Sequence, residues 1–195
     1  MIDRTDPLLL RGQLLVASPG IGDERFSRTV IYLCAHSVEG AMGLIVNKPA
    51  DDLVFADLLA QLKLLPEGGA IHAPLNVRNM DVLHGGPVET SRGFVLHAAD
   101  PKRDFGSVAV NGEIRLSANI EILQAIARGE GPQEAMFALG YAGWAAGQLE
   151  NEIRENAWLS GPAGSDIIFR TPVEQRWERA ARLLGVDVER ISRDV

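Results

Sequence analysis

Residues 28–47 read RTVIYLCAHSVEGAMGLIVN, and this stretch decides the fold class. Arg28–His36 is β-branched and aromatic, the composition of a strand. A period of two places Val30, Tyr32, Cys34 and His36 on one face, with Ile31, Leu33 and Ala35 on the other. Ser37–Gly40 reads as a turn and Gly43–Asn47 as the returning strand, stopped by Pro49, so the pair predicts a hairpin. Upstream, Gln13–Ala17 is a short apolar strand that Ser18-Pro19-Gly20 ends. Downstream, Asp81–Leu83 and Gly93–Ala98 read as strands about a Gly85-Gly86-Pro87 turn. Ala135–Trp144 is read as a strand because Gly140 and Gly143 disfavour a helix interior.

Helices fill the gaps. Asp52 can cap one running to about Lys63, Ser117 one that Gly129 ends, and Gln148–Asn156 is a third. The last has the clearest ends: Thr171 as N-cap, Pro172 at the first helical position, Glu174 completing a capping box, and Gly185 as the stop. Its apolar stripe is Val173, Trp177, Ala180, Ala181 and Leu184. Residues 64–80 are rich in Gly and Pro and read as a loop. Strands in blocks with scattered helices predict an α+β fold in a single domain over 1–195, rather than a doubly wound parallel sheet.

A chain of 195 residues can bury a core without metal or disulfide staples. Nineteen basic against 26 acidic side chains give a net charge of −7, which repels phosphate and disfavours broad binding to DNA, RNA or anionic membrane. The lone cysteine excludes an intrachain disulfide and fits a reducing compartment. Leu8–Leu10 is too short for a signal core, and Asp3 and Asp6 sit where a signal carries positive charge. No apolar run approaches the roughly 20 residues of a spanning helix. The expectation is a soluble, cytoplasmic protein.

Several chemistries lack their motif. There is no phosphate loop ending in Lys-Ser/Thr. Gly20-Ile21-Gly22 lacks the third glycine of a dinucleotide fingerprint. No nucleophile elbow, paired cysteines or His-Glu-x-x-His occur, and no helix-turn-helix pair can be placed.

Four constellations remain, each with a plainer alternative. Cys34-x-His36 would set a thiol and an imidazole on one strand face, or be a small buried hydrophobe beside a strand-end histidine. His84-Gly85-Gly86-Pro87, with Arg92 and His97 nearby, could hold an anion on backbone N–H groups, or be a tight turn needing positive φ. The spacing of these histidines and Cys34 does not require a metal site, and no cofactor is indicated. Trp144, Gln148 and Glu152 could line a cleft, Gln148 and Glu152 sharing a helix face; core packing of Tyr141 and Trp144 is the blander reading. Arg176, Arg179 and Arg182, interleaved with Glu174 and Glu178, read as a solvated face rather than a DNA grip. The discriminating observation is whether Asn47, His84, Arg92, Trp144 and Gln148 share a cleft.

Three runs carry a resemblance: LLVASPGIGDERFSRTVIYLCAHSVEGAMGLIVNKP (14–49), LHGGPVETSRGFVLH (83–97) and ALGYAGWAAGQLENEIRENAWL (138–159). In this order, over nearly the whole chain, they resemble the bacterial AlgH/YqgE family. The resemblance implies a compact α+β fold with a curved, barrel-like, mostly antiparallel sheet flanked by helices. It also brings the label of transcriptional regulator, which names a pathway and no mechanism, and it carries over no catalytic residues. The expectation is a non-enzymatic cytosolic protein that binds a protein partner or a small anionic ligand. The alternatives are an enzyme with a site near Cys34/His36 or the Gly85-Gly86 turn, and a direct DNA-binding regulator, which the charge disfavours.

Overall fold

The computed structural model describes residues 10–19, 21–65, 69, 73–162 and 164–186. The proposed N-terminal reading at 1–9, residues 66–68 and 70–72 of the predicted loop, and the tail from 187 lie outside the described residues. Strands β1 (Gln13–Ala17), β2 (Val30–Ser37) and β3 (Gly40–Ile45) form an antiparallel meander. Strands β4 (Val82–His84), β5 (Val88–Ala98), β6 (Val108–Ala109), β7 (Ile114–Ser117), β8 (Ala135–Ala145) and β9 (Trp158–Pro162) complete one sheet. Its order is β6-β7-β5-β8-β3-β2-β1-β9, with β4 also on β8. Among the described residues, only the β4–β8 pairing is parallel. The result is an α+β fold whose antiparallel sheet curls into a half-barrel.

Helices α1 (Phe55–Gln61), α2 (Leu75–Arg78), α3 (Ile120–Ala127), α4 (Gln148–Arg154), α5 (Ser165–Phe169) and α6 (Arg176–Leu183) flank it. Both faces of β1 and β2 are buried, which explains their unbroken apolar runs. Leu14, Val16, Val30, Tyr32 and Cys34 pack in a cluster with Trp177, Ala180 and Ala181 of α6. Leu15, Ile31 and Leu33 face a second cluster with Leu149 of α4, Trp144 and Trp158. A third joins α1 and α3 to Val95 and Phe137.

The alternation predicted for β2 breaks at one residue. Leu33 pairs with Gly43 but Ala35 pairs with Met42, so Cys34 is the extra residue of a β-bulge. Beyond it the faces exchange. Cys34 stays with Tyr32, whereas His36, opposite Ala41, turns to the side of α4. Cys34 and His36 therefore do not share a face.

The predicted turn at Gly85-Gly86 is also different. β4 and β5 do not pair with each other but flank β8, one parallel and one antiparallel. The chain between them crosses β8 at Gly140. A Cβ on Gly85 would strike the Gly140 carbonyl, and one on Gly86 the Tyr141 backbone. Gly140 itself has φ +73°. The Gly85 N–H donates to the Leu139 carbonyl at 2.7 Å, and its own carbonyl accepts from the Ile45 N–H at 2.9 Å. These glycines serve a backbone crossing, and the Gly85 amide is not available to an anion.

Helix ends shift for local reasons. α1 starts at Phe55 because residues 50–53 form a turn, the Leu53 N–H bonding the Ala50 carbonyl. Ser117 is the buried end of β7, and Asn119 caps α3 by accepting from the Ile122 N–H at 3.1 Å. The Thr171 hydroxyl donates back to the Asp166 carbonyl, closing α5. No capping box forms, and a 3-10 turn at Val173–Gln175 leads into α6. Arg176 is buried, not solvated: it donates to the carbonyls of Val46 and Thr171. Arg179 and Arg182 are exposed and paired to Asp166 and Glu178.

Candidate functional site

Two clefts open on either side of the C-terminal half of β8 and share Gly143 and Trp144 in their walls. The larger, about 870 Å³, lies at the mouth of the half-barrel. Its apolar wall includes Met42, Phe94, Leu116 and Tyr141, and its polar groups include Arg11, Glu39 and Arg92. β5 shapes one side. Val88 pairs with Tyr141 and Gly93 with Leu139, so residues 89–92 bulge out of the ladder. Glu89, at φ +47°, holds a backbone conformation that costs energy for a non-glycine residue. The bulge carries Arg92, whose Nη1 donates to Glu89 Oε2 at 2.9 Å. The same guanidinium lies 5.2 Å from the Phe94 ring centroid, and Phe94 meets Tyr141 edge-on at 5.9 Å.

The smaller cleft, about 320 Å³, is organised around a carboxylate. Glu152 Oε2 accepts from the indole N–H of Trp144 at 2.9 Å and of Trp158 at 2.7 Å. Its Oε1 accepts from Gln148 Nε2 at 2.9 Å, and Gln148 Oε1 accepts from the Ala145 N–H at 3.0 Å. The i, i+4 spacing of Gln148 and Glu152 aims both at the end of β8. With three N–H groups on one carboxylate, this network joins α4 to β8 and β9. Phe26, edge-on to Trp158 at 5.5 Å, closes the side.

His36 lines the larger cleft at its base, but its side chain is 1% exposed, and Nε2 is 3.0 Å from Glu150 Oε1 on α4. Cys34 lies in the core on the opposite face, and burial pushes its thiol up to about 12, the reverse of activation. Asn47 touches neither cleft. Its Oδ1 accepts from the Val30 N–H at 2.7 Å and its Nδ2 donates to the Arg28 carbonyl at 2.8 Å, fastening the loop before β2. His84 is exposed at the end of β4 and lines neither cleft. His97 is buried. Its Nδ1–H donates to the Ala98 carbonyl at 2.8 Å, so Nε2 accepts from the Ser107 hydroxyl at 2.7 Å, and desolvation lowers its pKa.

The structure thus divides the set Asn47, His84, Arg92, Trp144 and Gln148. Arg92 and Trp144 border the larger cleft, Trp144, Gln148 and Glu152 the smaller, and Asn47 and His84 stand apart. Among the described residues, no three His, Cys, Asp or Glu side chains gather to hold a metal ion. Sequence reading missed Glu150, Trp158 and Arg11. Trp158 lies six residues beyond Glu152, too far for a helix-face argument, and nothing in the spacing links His36 to Glu150.

The AlgH-like (DUF179) family model matches residues 14–189. A UPF0301 protein of Methylobacterium nodulans is 56% identical over 183 residues, spanning 94% of this chain and 87% of its own length. A UPF0301 protein of Methylocella silvestris is 50% identical over 186 residues, spanning 95% and 90%. The solution structure of the AlgH protein from Pseudomonas aeruginosa matches with a TM-score of 0.76 at 40% identity, covering 98% of this chain and 97% of that one. A Corynebacterium diphtheriae crystal structure, at 20% identity and TM-score 0.69 over 93% and 90% of the two chains, shares the fold.

Proposed function

This chain belongs to the AlgH-like family, and from that premise we propose that it is a non-enzymatic, cytoplasmic regulatory protein that acts by binding. The larger cleft is its binding surface. One observation carries the reading: the thiol of Cys34, the imidazoles of His36 and His97 and the Glu152 carboxylate are engaged inside the fold, while the larger cleft is wide and open. Cys34 is buried with its thiol pushed up to about 12, His36 is tied to Glu150, His97 to Ser107, and Glu152 to three N–H groups. An open concavity with aromatic and aliphatic walls and a few polar groups is the usual form of a ligand site.

Direct reading of DNA is the weaker alternative. The net charge is −7, Arg176 of the α6 stripe is buried, and Arg179 and Arg182 are paired with carboxylates. No helix among the described residues is long and apolar enough to cross a membrane.

The test is a fragment library titrated into methyl-labelled protein and read by NMR. Bound fragments are expected to shift the Met42, Val88 and Leu116 methyl signals and to be recovered unchanged. Hits confined to other surfaces would remove the cleft from the proposal. Conversion of a fragment to product, abolished by His36→Gln, would make the protein an enzyme.

A further inference from the structure

Resting on that binding reading, we propose that the larger cleft takes a small amphiphilic acid: an apolar body carrying one carboxylate or phosphate group, with Arg92 as the anchor of the anionic head. The bulge in β5 does what a regular strand would not. It lifts residues 89–92 out of the β8 ladder and stands a guanidinium at the cleft wall. Three features hold that group in place: the bulge itself, the Glu89 carboxylate and the Phe94 ring. An arginine bears five N–H donors, and among the described residues Glu89 occupies one nitrogen, Nη1. Nε and Nη2 remain for a ligand, in the fork geometry that suits two oxygens of a carboxylate or phosphate.

The rest of the cleft fits the body of such a molecule. Phe94 and Tyr141 line it, with Met42 on the β3 side and Leu116 and Val108 on β7 and β6. Val108 is 70% exposed, an apolar side chain with nothing over it among the described residues. A second cation, Arg11, reaches the cleft from the segment before β1, and it makes no ion pair with a described carboxylate. The opposing charge is Glu39, on the β2–β3 hairpin. In sheet order it is two strands across from β5, and in the register of β8 it lies beyond Ala145 whereas Arg92 lies near Gly140, so it stands well away from Arg92. An acid lies with its head on Arg92 and its body along the apolar lining. On a protein of net charge −7, anion binding needs such a local device. The glycine turn at residues 85–86 does not supply it, because its amide is bonded to β8.

The experiment uses the whole chain, methyl-labelled at methionine, and three eight-carbon probes below their micellar range: octanoate, octyl phosphate and the neutral 1-octanol. The expected result is saturable movement of the Met42 signal with at least one acid, with Arg92→Gln weakening that acid about tenfold, the low end for a charge-assisted hydrogen bond at a half-exposed group. The tighter acid names the head group. Glu39→Gln leaves acid binding unchanged or stronger, and 1-octanol binds both Arg92 forms alike. Thermal unfolding of each variant confirms the fold. Equal affinity of 1-octanol and the acids, or acid binding indifferent to Arg92→Gln, overturns anion recognition and leaves the cleft as a binding surface. No movement of Met42 with any probe overturns the proposal, while the fragment titration separately decides the binding reading.

Discussion

The two clefts beside β8 each contain a held charged group, Glu152 in one and Arg92 in the other, and they are built in opposite ways. Glu152 is largely satisfied: two indoles and a carboxamide converge on it from β8, β9 and its own helix, filling three of a carboxylate's roughly four acceptor sites. Arg92 is held but not saturated, with one carboxylate, one ring and a side chain that is 55% exposed. A charged group whose hydrogen-bonding capacity is consumed internally belongs to the architecture. A charged group that is positioned with donors to spare is available to something else. The contrast predicts that the two sites separate stability from binding.

The largest effect is expected at Glu152. Replacing it with alanine strands the Trp144 and Trp158 indole N–H groups in a half-buried setting, so stability should fall by about 3 kcal/mol in urea unfolding. Glu152→Gln, which keeps an acceptor, should cost less than half of that. A loss under about 0.5 kcal/mol for the alanine variant would mean the network is ornamental and the comparison fails.

Thiol chemistry gives the next test. With Cys34 buried and its thiol pushed up to about 12, a disulfide reagent should leave the native protein unlabelled at pH 7.5 and label it fully in guanidinium. Rapid native labelling would restore Cys34 as a candidate nucleophile.

His97 supplies a smaller, pH-dependent effect. Its folded pKa is lowered below the ordinary value of 6.5, first by desolvation. Between the folded value and 6.5 the unfolded chain binds more proton than the native one, so stability is full above about pH 6.5 and declines as pH falls through the folded pKa. His97→Gln should flatten that part of a stability–pH curve. The smallest effect belongs to Arg92→Gln, which should change stability by less than about 0.5 kcal/mol, because its partner Glu89 is exposed. A large loss there would make Arg92 a structural residue after all.

What was legible in the sequence was whatever depends on near neighbours. The apolar runs at Gln13–Ala17 and Arg28–His36 are strand because their own side chains require it, and the glycines of 135–145 do mark a strand. The bulge at Cys34 was not legible, since it is set by how β3 pairs with β2, and one inserted residue moves His36 to the other face. Gly85 and Gly86 announced that a side chain was unwelcome. The reason, contact with Gly140 across the sheet, lies far along the chain. Arg176 looked like its neighbours three residues away, but the carbonyl of Val46 claims it. Gln148 and Glu152 were visible as a pair by helix spacing, with Trp144 at the end of the preceding strand, and Trp158 was not, because it enters from the next strand.

The place of β8 in the sheet also governs the order of assembly. β1, β2 and β3 form one local meander, and β5, β7 and β6 another. The second meander joins the rest of the sheet through β8 alone. On the ribosome, then, more than a hundred residues emerge before the strand that unites them. Until β8 lies between β3 and β5, neither the crossing at Gly140 nor either cleft exists, since both clefts take a wall from β8. Closure relies on contacts distant in sequence, the kind that slow folding most. The larger cleft and the long-range pairing that joins the two meanders are thus made by the same eleven-residue strand.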